Sequence, residues 1–126
     1  MAYEYDSENI FAKILRGEIP NNTVMETEHC LAFRDLYPQA PEHILVIPKG
    51  AYVNFDHFGA EASDAELVDF SRTVARIARD IGVDPASGGN GYRLIANTGT
   101  DGVADVPHLH VHLLGGRRLG RMLQQA

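Results

Sequence analysis

Three of the chain's six histidines fall within five residues, as His108-Leu109-His110-Val111-His112, followed by Leu113-Leu114-Gly115-Gly116. The residues between them are apolar, so the stretch reads as a β-strand. Successive strand side chains alternate between faces, which places all three imidazoles on one face with Leu109, Val111 and Leu113 behind them. Such a row can hold a metal, attack a substrate or bind one.

As metal ligands the three rings are badly spaced. A strand rises roughly 3.3 Å per residue, so the outer two rings root about 13 Å apart. Zinc needs about four positions filled, counting any open one. A metal site would therefore draw a further ligand from elsewhere, with His43 and Asp105 as candidates. As nucleophiles the rings are well suited. A neutral imidazole attacks phosphorus well and leaves it well, which divides a phosphoryl or nucleotidyl transfer into two easier steps. Like charges disfavour one another, so at most one ring of the row is cheaply protonated. His110 has a neighbour on each side and is the natural nucleophile. Gly99 and Gly102, in the loop before the row, allow backbone N–H groups to turn toward an anion.

The elements that position this row follow from periodicity. Ser7 caps a short helix whose apolar stripe is Ile10, Phe11, Ile14 and Leu15, ended by Gly17 and Pro20. Thr23–Glu26 and Leu31–Asp35 read as a hairpin turning at Glu28-His29. The stiff loop Leu36-Tyr37-Pro38-Gln39-Ala40-Pro41 leads to His43 and the apolar run 44–47, a central strand buried on both faces and closed by Pro48. Residues 51–62 show no period and read as loop with one helical turn, with His57 on the surface. Ser63-Asp64-Ala65-Glu66 is a capping box. It opens a helix carrying Leu67, Phe70, Val74, Ile77 and Ile81 inward and stopping at Gly82, with acids early and arginines late, as the helix dipole favours. Residues 85–91 read as loop and 92–97 as strand. No internal repeat, low-complexity tract or linker interrupts the chain.

With 126 residues the chain forms one domain. Its formal net charge of −6 argues against tracking a nucleic-acid backbone, which needs a basic face. A local pocket for a small anion is compatible with that balance. Cys30 is the single cysteine, so no intrachain disulfide forms. The acidic N-terminus lacks the regions of a signal peptide, and the longest apolar run is too short to span a bilayer. A soluble, cytoplasmic protein without membrane or nucleic-acid partners is expected.

The row fits the pattern His-φ-His-φ-His-φ-φ, with φ apolar, and the chain resembles the histidine triad (HIT) superfamily, in particular its Hint branch. Further segments carry the resemblance: Ile10-Phe11 with Ile19-Pro20, residues 30–35, residues 38–49, and Asn97 through Gly116. It covers about residues 8–116 of a single 1–126 domain, with 117–126 as a C-terminal tail. It implies an α+β fold with a five-stranded antiparallel sheet and two helices. It also implies a homodimer whose sheets join into a continuous ten-stranded sheet. Hint-like proteins hydrolyse nucleoside 5′-phosphoramidates and related adenylates through a nucleotidyl-histidine, without metal or cofactor. Carried onto this sequence, His110 is the nucleophile, and His112 contacts the α-phosphate and assists the leaving group. His108 and His43 complete the hydrogen-bonded set. Asp35 accepts from the ribose hydroxyls and Leu36 lies beside the sugar. Phe11, Ile14, Ile19, Phe33 and Leu45 wall a purine base pocket. Asn97 and the backbone of Val103, Ala104 and Asp105 hold phosphate.

Two departures stand out. Ala104-Asp105 occupies positions where many Hint-like proteins carry glutamine and a serine or other polar residue. Alanine offers phosphate no side-chain donor, and an ionised Asp105 repels it. The chain also has no tryptophan, whereas some Hint tails carry one. Three other readings share the same residues: a dinucleoside polyphosphate hydrolase, a nucleotide-binding regulatory module with incidental activity, and a zinc-dependent hydrolase.

Overall fold

The central strand is the most apolar stretch of the chain, and the sheet is built outward from it. A computed structural model describes residues 3–123. Five strands, β1 (Thr23–Glu26), β2 (Cys30–Arg34), β3 (Glu42–Pro48), β4 (Tyr92–Ile95) and β5 (Val111–Gly115), form one antiparallel sheet in the order β1-β2-β3-β5-β4. The α+β class and the five-stranded sheet are as expected. Three α-helices accompany it instead of two: α1 (Ile10–Leu15), α2 (Phe55–Glu61) and α3 (Asp64–Asp80).

The alternation of β3 divides the core. Ile44 and Val46 point to the face covered by α3, where Phe70, Val74 and Ile77 meet Phe58 of α2. Leu45 and Ile47 point to the other face, against Phe11 and Ile14 of α1 and Leu31 and Phe33 of β2. Ile44, Ile47, Ile77 and Leu113 are fully buried, each contributing about 1.5–3 kcal/mol of transfer free energy. The α3 capping box forms as its sequence dictates: Ser63 Oγ accepts from Glu66 N, and Ser63 N donates back to Glu66 Oε1 at 3.0 Å.

Several local expectations need correction. Asn9, not Ser7, caps α1, its side-chain oxygen accepting from Ala12 N at 2.9 Å. Residues 55–61 form a true helix, because Asn54 caps it and Phe58 anchors it in the core. His57 is buried, not on the surface; it stacks on Tyr3 and meets the edge of Tyr52. The second strand ends at Arg34, leaving Asp35 just beyond it, and β4 ends at Ile95, leaving Asn97 outside it. The histidine strand begins only at Val111. His108 N donates to Val106 O and Leu109 N to Tyr52 O, so this backbone turns away from the β3 ladder. The face alternation nevertheless holds, since Leu109, Val111 and Leu113 all join the α3-side core. Met1 and Ala2 of the acidic N-terminus lie outside the described residues, as do Gln124, Gln125 and Ala126 of the tail.

Candidate functional site

The site lies on the α1 side of the sheet, where β3 and β5 run antiparallel. Leu45 pairs with His112 and His43 with Leu114, while Ile95 of β4 pairs with His112 from the other side. The odd residues of β3 and the even residues of the histidine row therefore share a face. Asn97 lies two residues beyond Ile95, outside β4.

Hydrogen bonds fix which nitrogen of each ring carries the proton. His110 Nδ1 lies 2.8 Å from His108 O. A carbonyl oxygen only accepts, so Nδ1 bears the hydrogen and Nε2 holds a free lone pair. His108 Nε2 donates to Pro48 O at 2.9 Å by the same logic. Its Nδ1 is then an acceptor, and it receives Tyr5 O–H at 2.5 Å. His43 Nδ1 accepts from Gln39 N at 3.1 Å, so neutral His43 carries its hydrogen on Nε2. That Nε2–H faces His112 Nδ1 at 2.9 Å, with Asp35 Oδ2 at 3.5 Å. His112 accepts on Nδ1 and bears its own hydrogen on Nε2. The row thus presents a lone pair at His110 and a donor at His112, with ring centroids 5.1 Å apart.

Burial keeps the supporting rings neutral. His108 is fully buried, and desolvation is the main reason its pKa falls to about 4. Desolvation likewise brings half-buried His112 down to about 4, with repulsion from His110 and His43 adding to the effect. His43 is also lowered by burial, and the neighbouring Asp35 carboxylate opposes the shift.

Beside the rings lies a cavity of about 230 Å³. Phe11, Ile14, Ile19, Phe33, Leu45, Asp35 and Leu36, which the family resemblance implied for the base and sugar, all line this cavity. Ile10, Pro20 and Val106 line it too and were not anticipated. The Phe11 ring sets its edge to His110 with centroids 4.9 Å apart, so this helix residue touches both cavity and row. Asp35 is fixed at the cavity mouth: its N–H donates to His43 O at 3.0 Å, and its Oδ1 accepts from Tyr37 N at 2.8 Å.

The loop before the row forms a second depression, lined by Gly99, Thr100, Ala104 and Asp105. Val103 N and Ala104 N donate within the loop, to Thr100 O and Gly99 O. Gly102 is there for close approach, since a Cβ would come within 2.5 Å of Thr98 O. Val103 is exposed and adopts φ +54°. Exposed Asp105 places Oδ1 4.0 Å from His110 Nε2. A larger depression of about 570 Å³, lined by Gly88, Gly89, Asn90, Arg117 and Arg118, opens beyond the far end of β5, away from the histidines.

Asp35, His43 and His112 each bring one potential ligand atom, all within 4.8 Å of one another. His43, one of the two further ligands considered from spacing, belongs to this group with a single histidine of the row, and Asp105 does not. A cation there would replace the proton shared by His43 and His112. Tyr5 is the partner that sequence reasoning missed. It lies 103 positions from His108, and no local pattern marks it.

The HIT domain model matches residues 16–119. An uncharacterized 13.2 kDa HIT-like protein of Azospirillum brasilense is 54% identical over 123 residues, covering 98% of both chains. The purine nucleoside phosphoramidase of Escherichia coli K12 is 45% identical over 116 residues, covering 92% of this chain and 93% of its own. Among solved structures, a histidine triad protein from Clostridium difficile superposes with a TM-score of 0.80 at 37% identity, covering 95% of this chain and all of that one (100%).

Proposed function

Because the chain belongs to the HIT family, we propose that it hydrolyses the P–N bond of purine nucleoside 5′-phosphoramidates or related adenylates through a nucleotidyl-His110 intermediate. One observation carries this reading. His110 holds its proton on Nδ1 against the His108 carbonyl, which leaves Nε2 as an unprotonated nucleophile beside an apolar cavity.

In the first step His110 Nε2 forms a bond to the α-phosphorus while the P–N bond breaks. The leaving nitrogen takes a proton through His112 Nε2–H, behind which stands His43 Nε2–H. The new positive charge on His110 is met by the carbonyl that holds Nδ1–H. In the second step water attacks phosphorus, His110 leaves unprotonated at Nε2, and the proton released by water balances the one taken up earlier. The base occupies the apolar cavity, and the two oxygens of Asp35 accept from the vicinal ribose hydroxyls. Asp105 favours an amine leaving group over a polyphosphate, because an anionic leaving group would meet its carboxylate beside His110.

A homodimer accompanies this reading. Among the described residues β4 leaves one edge unpaired, and Leu94 on β4 and Val68 on α3 are exposed at 47% and 51%. Pairing of two β4 edges would complete the ten-stranded sheet, and sedimentation would show a single species of twice the chain mass. No helix among the described residues is long and apolar enough to cross a membrane.

The decisive experiment is incubation with adenosine 5′-phosphoramidate labelled at phosphorus, followed by rapid quenching. Wild type should yield an acid-labile label on His110. His110→Gly should lose that label and its turnover by at least about a thousandfold while still binding AMP. Undiminished turnover in that variant would overturn the mechanism.

A further inference from the structure

The segment ahead of α1 takes no part in the chemistry above, yet it runs from α2 to the histidine row. Tyr3 Oη donates to Asp56 Oδ2 at 2.6 Å, and its ring stacks on His57 with centroids 5.2 Å apart. Two residues on, Tyr5 Oη lies 2.5 Å from His108 Nδ1, with its ring edge-on at 5.5 Å. Asp6 O then accepts from Asn9 Nδ2 at 2.8 Å, tying the segment to the residue that caps α1.

His108 is fully buried, with Nε2–H committed to Pro48 O. Its Nδ1 is therefore an acceptor that needs a donor inside the protein. Tyr5 is that donor, and a phenol suits the task because it brings an apolar ring along with one O–H. The main-chain carbonyl of the same His108 holds Nδ1–H of His110. We propose that Tyr5 is a positioning residue for the nucleophile. Its hydroxyl and Pro48 pin the His108 ring from two sides, and the pinned residue places the carbonyl that orients His110. Tyr5 lies outside residues 16–119, the span that matches the family model. The proposal rests on His110 being the nucleophile.

Tyr5→Phe tests it, because the ring stays and only the hydroxyl goes. With adenosine 5′-phosphoramidate, kcat should fall about three- to tenfold, the worth of one neutral hydrogen bond, while KM stays within about twofold. In ¹⁵N spectra the His108 Nδ1 resonance should move toward that of an unbonded imine nitrogen, and the His110 resonances should shift with it. Tyr3→Phe, which frees the other anchor, should leave kcat and both sets of resonances unchanged. An unaltered kcat in Tyr5→Phe would overturn the proposal, as would equal losses in the two variants, which would mark the segment as structural only. If wild type fails to turn over phosphoramidates, the functional reading fails. The ¹⁵N comparison, made without substrate, still decides whether Tyr5 holds His108 and whether His110 follows.

Discussion

Acidification should destabilise this protein through His108 by an amount that the burial of that ring sets. In the unfolded chain the imidazole titrates near 6.5, whereas burial pushes it down to about 4 in the fold. Above about pH 6.5 both states are neutral there and the residue adds no pH dependence. Between those two values the unfolded state binds a proton that the folded state refuses, so stability rises with pH across the window. The loss begins near the unfolded value as pH falls and is complete near the folded one. It amounts to about 2 kcal/mol at about pH 5 and about 3 kcal/mol at about pH 4. Against a typical total of about 5–15 kcal/mol this is a large share. His108→Gln removes the titration while keeping an N–H for Pro48 O. The chain has no tryptophan, so urea unfolding followed by far-ultraviolet circular dichroism is the appropriate assay. The stability gap between wild type and variant should shift by about 2 kcal/mol between about pH 7.5 and about pH 5, with wild type losing more. Half-buried His112 titrates in both proteins and drops out of the comparison. Parallel pH profiles would refute the reasoning, because they would mean that the folded state accepts a proton at His108 without cost.

Three further outcomes follow from geometry. Val103 is an exposed β-branched residue at φ +54°, a conformation costing about 1–2 kcal/mol without glycine. Part of that is offset by glycine's freedom in the unfolded chain. Val103→Gly should therefore gain about 0.5–1 kcal/mol, raising Tm by about 2–4 °C in calorimetry; an unchanged or lower Tm refutes it. Asp105→Asn removes a carboxylate 4.0 Å from His110 Nε2. KM for an anionic phosphoramidate should fall about two- to fivefold at low salt, and the gain should shrink as salt screens the charge. Equal KM values at low salt would show that the substrate phosphate never comes near Asp105. A strong chelator should leave turnover unchanged, whereas added zinc should inhibit by drawing Asp35, His43 and His112 from their proposed contacts with ribose and proton. Inhibition by the chelator, with restoration by zinc, would favour the zinc-dependent reading.

The parts of this molecule that local patterns describe were readable in advance. Strand β3 is a run of apolar β-formers, α3 has a capping box and helical period, and the alternation of the histidine row survives even where its backbone leaves the ladder. The residues lining the cavity were legible through the family resemblance, not through spacing, since Phe11, Phe33 and Leu45 lie on three separate elements. Helix α2 was missed because Gly59 and buried His57 interrupt its apolar pattern, and the decisive signal was the cap at Asn54. Ser7 and Asn9 are both competent caps, and the choice fell to Asn9 because its amide also reaches Asp6 O. Tyr3 and Tyr5 find their partners across 53 and 103 positions, beyond the reach of any local signal.

The proton that readies His110 is held by the main chain, and this bears on how the site can vary. The carbonyl belongs to whatever residue stands at position 108, so no substitution there deletes the partner itself; it only displaces it. A survey of the site that replaces side chains one at a time will find the residues that frame the proposed nucleophile and pass over the group that sets its tautomer. Reaching that group requires altering the backbone, for example by replacing the amide linkage after His108 with an ester and weakening its oxygen as an acceptor. Changes to cavity and loop side chains can thus alter what the site accepts while the hydrogen on His110 Nδ1 keeps its acceptor.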